Sequence, residues 1–192
     1  MENQLITKIE ERLKVTINPK RYRHTLGVVK ASIYLAEKYH EDTMNAKIAA
    51  LLHDFAKDYT RQQLMECVRT YGVVTDNIIM EAHELLHGKV AASIAKIEFN
   101  INNENILNAI ENHTTGREGM SKLEKIIYLA DFIEEGRNYP GVNELRKIAA
   151  EDLDKAVLQA LNNTIIYVLS IEKLLHPNTL YARNELLLKM KS

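Results

Sequence analysis

The sequence holds one cysteine in 192 residues, which excludes an intramolecular disulfide and leaves packing to hold the chain together. That residue, Cys67, shares a helical pattern with Leu64, Val68 and Tyr71, so a buried thiol is expected. A surplus of one charge sign is also missing. The formal net charge is -1, which excludes the basic field of a duplex-binding protein and means that any anionic ligand is held by local groups. Long apolar runs are absent: the longest, such as Ile48 to Leu52 and Ile165 to Leu169, fall far short of the roughly 20 residues of a membrane span. Met1 to Lys14 is charged and amphipathic with no uncharged hydrophobic stretch, so no signal peptide is expected and the chain reads as soluble and cytoplasmic. Period-two stretches and β-hairpin dipeptides are missing too, which excludes a sheet-based fold.

What is present is helical periodicity, in a composition of 46% hydrophobic and 27% charged residues that suits one globular domain. Leu5, Ile9 and Leu13 predict a first amphipathic helix ending before Thr16 to Asn18. Asn18-Pro19 is a start signal, and Tyr22, Leu26, Val29, Ile33 and Ala36 then form a stripe, with His24 off its centre at the edge of the core. Asp42 or Thr43 caps the next helix, which carries Ala46, Ile48, Ala49, Leu52 and Phe55. Thr60 to Gln63 is a capping box and Gly72 the stop. A shorter segment runs from Asp76 through His83 to His87-Gly88, and Val90, Ala91, Ile94 and Ala95 continue as a helix. Asn103 opens a helix with Ile106, Leu107 and Ile110 inward; Gly116 to Gly119 reads as a flexible loop; Ser121 to Glu124 is a second capping box, whose helix reaches Asp131. After a turn at Tyr139-Pro140-Gly141, Asp152 caps a long helix from Leu153 through Leu169, and a last helix covers about Thr179 to Met190. The reading is all-α, a bundle of nine or ten helices without repeat or linker.

The chemistry centres on His53-Asp54, at the end of an apolar helical run. Adjacent helical residues point about 100° apart, so the pair converges on one ion only at a helix end, or grips two ions through different carboxylate oxygens. Imidazole nitrogen with carboxylate oxygen suits iron, manganese or zinc. His24, His87, His113 and Asp131 each lie in a helical segment of their own. Asp131 on an otherwise apolar face is costly unless paired or bound to a cation. Taken alone, His24 or His113 fits a hydrogen-bonded residue at the core edge; the joint set points to a metal site. His40 reads as a surface residue and His176, before a proline, as a loop residue. His83 and His87 are four apart and share a helical face, so spacing does not choose between them.

The strings Arg21 to Val28, Leu51 to Lys57, Leu86 to Gly88, Ile110 to Arg117 and Glu124 to Glu134, followed by Asn138 to Val142, resemble the HD-domain superfamily of metal-dependent phosphohydrolases, and within it the YqeK-type branch. The likeness runs from residue 19 to about 180. It implies one HD domain with a metal-site core at about 19–140 and C-terminal helices 152–191 completing a nucleotide pocket. It also implies symmetrical bis(5'-nucleosyl)-tetraphosphatase activity, cleaving diadenosine tetraphosphate to two ADP. By the same resemblance His24, His53, Asp54 and Asp131 hold the principal metal, iron, with manganese or another divalent transition metal as the alternative. His87 is chosen over His83, and His87 and His113 bind a second metal or the phosphates. Arg21, Lys57, Thr114 and Arg137 fall at polyphosphate-binding positions. Asp54 and Lys57 are the expected catalytic groups: Asp54 would bridge two ions about 3.5 to 4 Å apart, and Lys57, one turn on, would neutralise an oxygen near them. The expected ligand is a nucleotide substrate or an ADP-like or GDP-like product, with no nucleic acid or membrane partner, and a homodimer is the assumed assembly. Two other readings use the same helices: a phosphatase or phosphodiesterase for nucleoside monophosphates or cyclic nucleotides, and a degenerate signalling or scaffold module. The six filled ligand positions argue against the last.

Overall fold

The computed structural model describes the backbone of residues 2–191 and the side chains of 4–82 and 84–191. Expectations that involve Met1 or the His83 side chain lie outside the described residues. Among those residues there are eleven α-helices and no strand. They are α1 (Glu2–Thr16), α2 (Pro19–Lys38), α3 (Thr43–Leu52), α4 (Arg61–Tyr71), α5 (Asn77–Glu81), α6 (His83–Glu98), α7 (Glu104–Glu111), α8 (Lys122–Ile133), α9 (Val142–Ala149), α10 (Leu153–Ser170) and α11 (Pro177–Lys191). Their starts follow the sequence. Asn18 accepts hydrogen bonds from the Lys20 and Arg21 amides with Pro19 in the first turn, and Asp42 caps α3. Thr60–Gln63 and Ser121–Glu124 form reciprocal capping boxes, and Gly72 ends α4 in the left-handed conformation.

The helices share one hydrophobic cluster that takes in Leu13, Val28, Leu51, Phe55, Val90, Ile110, Ile127, Val157 and Leu186. Helix α8 lies at its centre: Leu123, Ile126, Ile127, Tyr128, Leu129 and Ala130 are all buried. It packs against α2, α3, α7, α9 and α10, while α3 also meets α2, α6 and α7. The histidines and aspartates expected to bind metal are spread over these same central helices.

In several places the structure departs from the sequence reading. The buried face of α2 is Thr25, Val28, Ser32, Leu35 and Ala36, whereas Leu26 is exposed. Small residues on that face let α2 pack closely against α3 and α8, and His24 beside it is half-buried and faces a cleft at the edge of the core, as read from the sequence. The helix missed by the sequence reading is α9, whose Val142, Leu145 and Ala149 are buried. Helix α10 buries Leu153, Ala156, Val157, Ala160 and Leu161, but its C-terminal end leaves Ile166, Tyr167 and Leu169 exposed. Cys67 is half-buried rather than buried, and burial together with Glu66 and Glu98 pushes its thiol pKa up. The Gly116–Gly119 loop is tethered: Arg117 forks onto Glu124 at 2.6 and 2.8 Å, and the Gly119 amide donates to Glu185.

Candidate metal centre

Four imidazoles and two carboxylates converge where α2, α3, α6, α7 and α8 meet. His24 comes from α2, His53 caps the C-terminus of α3, Asp54 follows it, His87 lies in α6, His113 just after α7 and Asp131 near the end of α8. His53, Asp54, His87 and His113 are all buried. Asp54 is the hub. Its Oδ1 lies 3.0 Å from His87 Nε2 and 3.6 Å from His113 Nε2. Its Oδ2 lies 3.5 Å from His53 Nε2 and 3.7 Å from His24 Nε2, and accepts from Arg21 Nη1 at 2.7 Å. The two oxygens thus face two halves of one site, as a helix-end pair can.

Backbone geometry fixes how the rings point. His53, His87 and His113 each place Nδ1 2.6 to 2.7 Å from the carbonyl three residues earlier, those of Ala50, Glu84 and Ile110. A carbonyl only accepts, so Nδ1 carries the proton and the Nε2 lone pair faces inward. Close packing of α6 on α7 brings His87 and His113 to 3.1 Å, and Gly88 permits it: a Cβ there would lie 2.8 Å from the Glu111 carbonyl. The Arg117–Glu124 fork holds the segment after His113 against the start of α8.

The donor atoms suit a cation. His24 Nε2 and His53 Nε2 are buried without a hydrogen-bond partner. Asp131 Oδ1 lies 3.0 Å from the former. Lone pairs that crowd without pairing are costly unless something binds between them. His24, His53 and Asp131 offer ligand atoms within 4.8 Å of one another, as do His53, Asp54 and His113. Imidazole and carboxylate together fit a divalent transition metal.

Electrostatics keep the set ready. Burial pushes His53 and His87 down to about 4 despite the neighbouring Asp54, so both imidazoles are neutral near pH 7. Burial alone would raise Asp54 and Asp131. The charge of His53 and hydrogen bonds from the His113 and His87 rings, where these are protonated, hold the first well below the usual carboxylate range, and His24 and Arg137 hold the second there. For His24 burial acts downward, but Asp131 and Glu134 outweigh it and the pKa rises.

A prediction follows for the metal-free protein. His53 and His87 titrate near 6.5 when unfolded and at about 4 when folded, so between those values the unfolded chain binds more protons. Stability present above pH 6.5 is lost as the pH falls to 4, by about 3 kcal/mol for each imidazole. The raised His24 acts above that window, and the two lowered aspartates act below it. Thermal melts of chelator-treated protein should therefore show the midpoint falling steeply from pH 6.5 to 4. A flat midpoint would contradict buried, neutral imidazoles.

Around the centre lie the expected cations. Arg137 bonds the Asp131 carboxylate and donates Nε to the Asp131 carbonyl at 2.7 Å. Lys57 lies close enough to His87 for its ammonium to depress that ring's pKa. Arg21, Arg23, His24, Glu134 and Arg137 line a cleft of about 710 Å³ beside the cluster. Thr114 lines a small neighbouring recess with Lys89 and His176, whose Nε2 is 2.9 Å from Asp76. Two contributors went unassigned from sequence. Glu134 places Oε1 3.1 Å from His24 Nδ1, and Arg146 of α9 clamps the turn after α8 through the carbonyls of Ile133, Glu134 and Arg137. The Val142, Leu145, Ala149 spacing was the available signal for α9.

Comparison with known proteins gives this arrangement a family. Residues 21–136 match the HD domain. The chain is 40% identical over 179 residues, 93% of this chain and 95% of the relative, to a symmetrical bis(5'-nucleosyl)-tetraphosphatase of Halalkalibacterium halodurans. It is 37% identical over 172 residues, 90% and 92% of the two chains, to the protein of that name in Bacillus subtilis. A crystal structure of an HD superfamily hydrolase from Clostridium acetobutylicum, described as involved in NAD metabolism, superposes with a TM-score of 0.91 at 45% identity, covering 95% of this chain and 97% of that one. Divalent metal binding goes with the HD domain, and the His/Asp cluster offers donor atoms for such an ion. The chain belongs to the HD-domain family, in the branch that contains the symmetrical bis(5'-nucleosyl)-tetraphosphatases.

Proposed function

We propose that this chain hydrolyses dinucleoside tetraphosphates symmetrically, cleaving diadenosine tetraphosphate to two ADP at an iron centre. The observation that carries the reading is the identity of 37 to 40% to three relatives of that name across at least nine-tenths of this chain. In this reading His24, His53, Asp54 and Asp131 hold the principal ion, and His87 and His113 serve a second ion or a phosphate. A bound divalent ion supplies an acidified water near neutral pH and polarises a phosphoryl oxygen.

The protein's own groups do the remaining work. Water oxygen joins one of the two central phosphorus atoms, the central P–O bond breaks, and one proton is released as two nucleoside diphosphates form. Asp54 orders the centre through both oxygens. Arg21 and Arg137, on the cleft side, bind one diphosphate arm by charge-assisted hydrogen bonds, and the cleft has room for it. Lys57, beside His87, neutralises charge developing on the other arm. Thr114, next to His113, binds phosphate from the adjoining recess. The chain acts as one domain, with residues 19–140 forming the metal core and 152–191 completing the nucleotide pocket. A homodimer is part of the reading, supported by the apolar side chains exposed at the end of α10.

The test is product analysis. Incubation with diadenosine tetraphosphate and iron or manganese, followed by ion-exchange chromatography, should yield ADP alone. ATP with AMP would move the point of attack off centre, and faster turnover of nucleoside monophosphates or cyclic nucleotides would overturn the substrate.

A further inference from the structure

Of the four imidazoles at the centre, three lean on backbone carbonyls and His24 alone leans on a carboxylate. Glu134 is 4% exposed and enters from the turn after α8. Its Oε1 lies 3.1 Å from His24 Nδ1, and its Oε2 accepts the Gly136 amide at 2.6 Å. Space for it is made from both sides. A Cβ on Gly27, three residues beyond His24 in α2, would collide with Glu134 Oε2, and a Cβ on Gly136 would lie 3.0 Å from the same oxygen. Arg146 fixes the backbone that carries Glu134 by bonding its carbonyl at 2.8 Å. The packing of two helices is therefore arranged around one buried carboxylate that faces the outer nitrogen of one histidine.

We infer that Glu134 is a positioning residue of the metal centre: it holds His24 as the Nδ1–H tautomer with Nε2 turned inward, and strengthens that nitrogen as a ligand. A carboxylate only accepts at Nδ1, which leaves Nε2 with its lone pair, and it polarises the ring more than a neutral carbonyl does. Outer partners of this kind are typically worth about 10- to 100-fold in metal affinity. His24 is the imidazole that needs such help, because its Nδ1 faces Glu134 where the other three rings face a backbone carbonyl. The inference rests on His24 being a metal ligand.

The test is metal binding by the metal-free protein, independent of turnover. Wild type, Glu134→Gln, Gly27→Ala and His24→Ala are titrated with Co²⁺, with chelator competition and the cobalt absorption spectrum as readouts. Glu134→Gln keeps size while removing charge, and Gly27→Ala keeps Glu134 but displaces its carboxylate. Both should weaken Co²⁺ binding about 10- to 100-fold with an altered spectrum, and His24→Ala should weaken it further. Activity of Glu134→Gln should return to within a few-fold of wild type at saturating metal. Wild-type affinity and spectrum in Glu134→Gln, alongside weakened binding in His24→Ala, would overturn the positioning role alone. Wild-type affinity in His24→Ala would overturn the ligand assignment, and this inference with it.

Discussion

Asp54→Ala is expected to lose bound metal and to lower kcat/KM for diadenosine tetraphosphate at least about a thousandfold, roughly 4 kcal/mol of transition-state stabilisation. No other side chain in the cluster touches as many partners: His87, His113, His53 and His24 surround its two oxygens, and Arg21 donates to one of them. Taking it away removes the group that links the two halves of the site. Arg21, partly exposed, can turn to solvent, so the fold should survive. Asp54→Asn checks this by keeping the shape while removing the charge. Elemental analysis of both variants, with circular dichroism to confirm folding, should show folded protein depleted of metal. Full activity in Asp54→Ala would remove the basis of the site assignment.

Lys57→Ala is expected to separate catalysis from metal binding. Its ammonium is near His87 but is no ligand, so metal content should match wild type while kcat falls about 10²- to 10³-fold, the usual loss when one preorganised charge is removed from a reacting centre. KM should change much less than kcat, because the charge matters most as the P–O bond breaks. Lys57→Arg should recover part of the rate. An unchanged kcat with a raised KM would make Lys57 a binding residue only.

The cluster was legible in the sequence because its members are polar residues embedded in apolar helical periods, where a carboxylate or imidazole has no cheap explanation. Asp131 stands beside Ala130 on a buried helix, and His53-Asp54 closes a run in which every residue from Ile48 to Leu52 is buried. Caps were legible for a similar reason: Asn18-Pro19 and the two capping boxes satisfy exposed amides within a few residues, with no help from the rest of the fold. Features that depend on partners distant in sequence were not. The apolar stripe read on α2 puts Leu26 inward, but close packing against α3 and α8 selected the face of small residues instead. The apolar end of α10 reads as core by period alone, and only the fold shows that Tyr167 and Leu169 are exposed. Glu134 carries no local signal in the sequence. Its role depends on Gly27, more than a hundred residues earlier, leaving space for it.

The most direct test of the whole account is hydrolysis of diadenosine tetraphosphate by chelator-stripped protein during stepwise return of Fe²⁺ under anaerobic conditions. The rate of ADP release should rise from near zero in proportion to metal bound, and level off when the His/Asp cluster is filled. Substantial ADP release by metal-free protein, or metal binding at full stoichiometry without any ADP, would contradict a metal-centred tetraphosphatase.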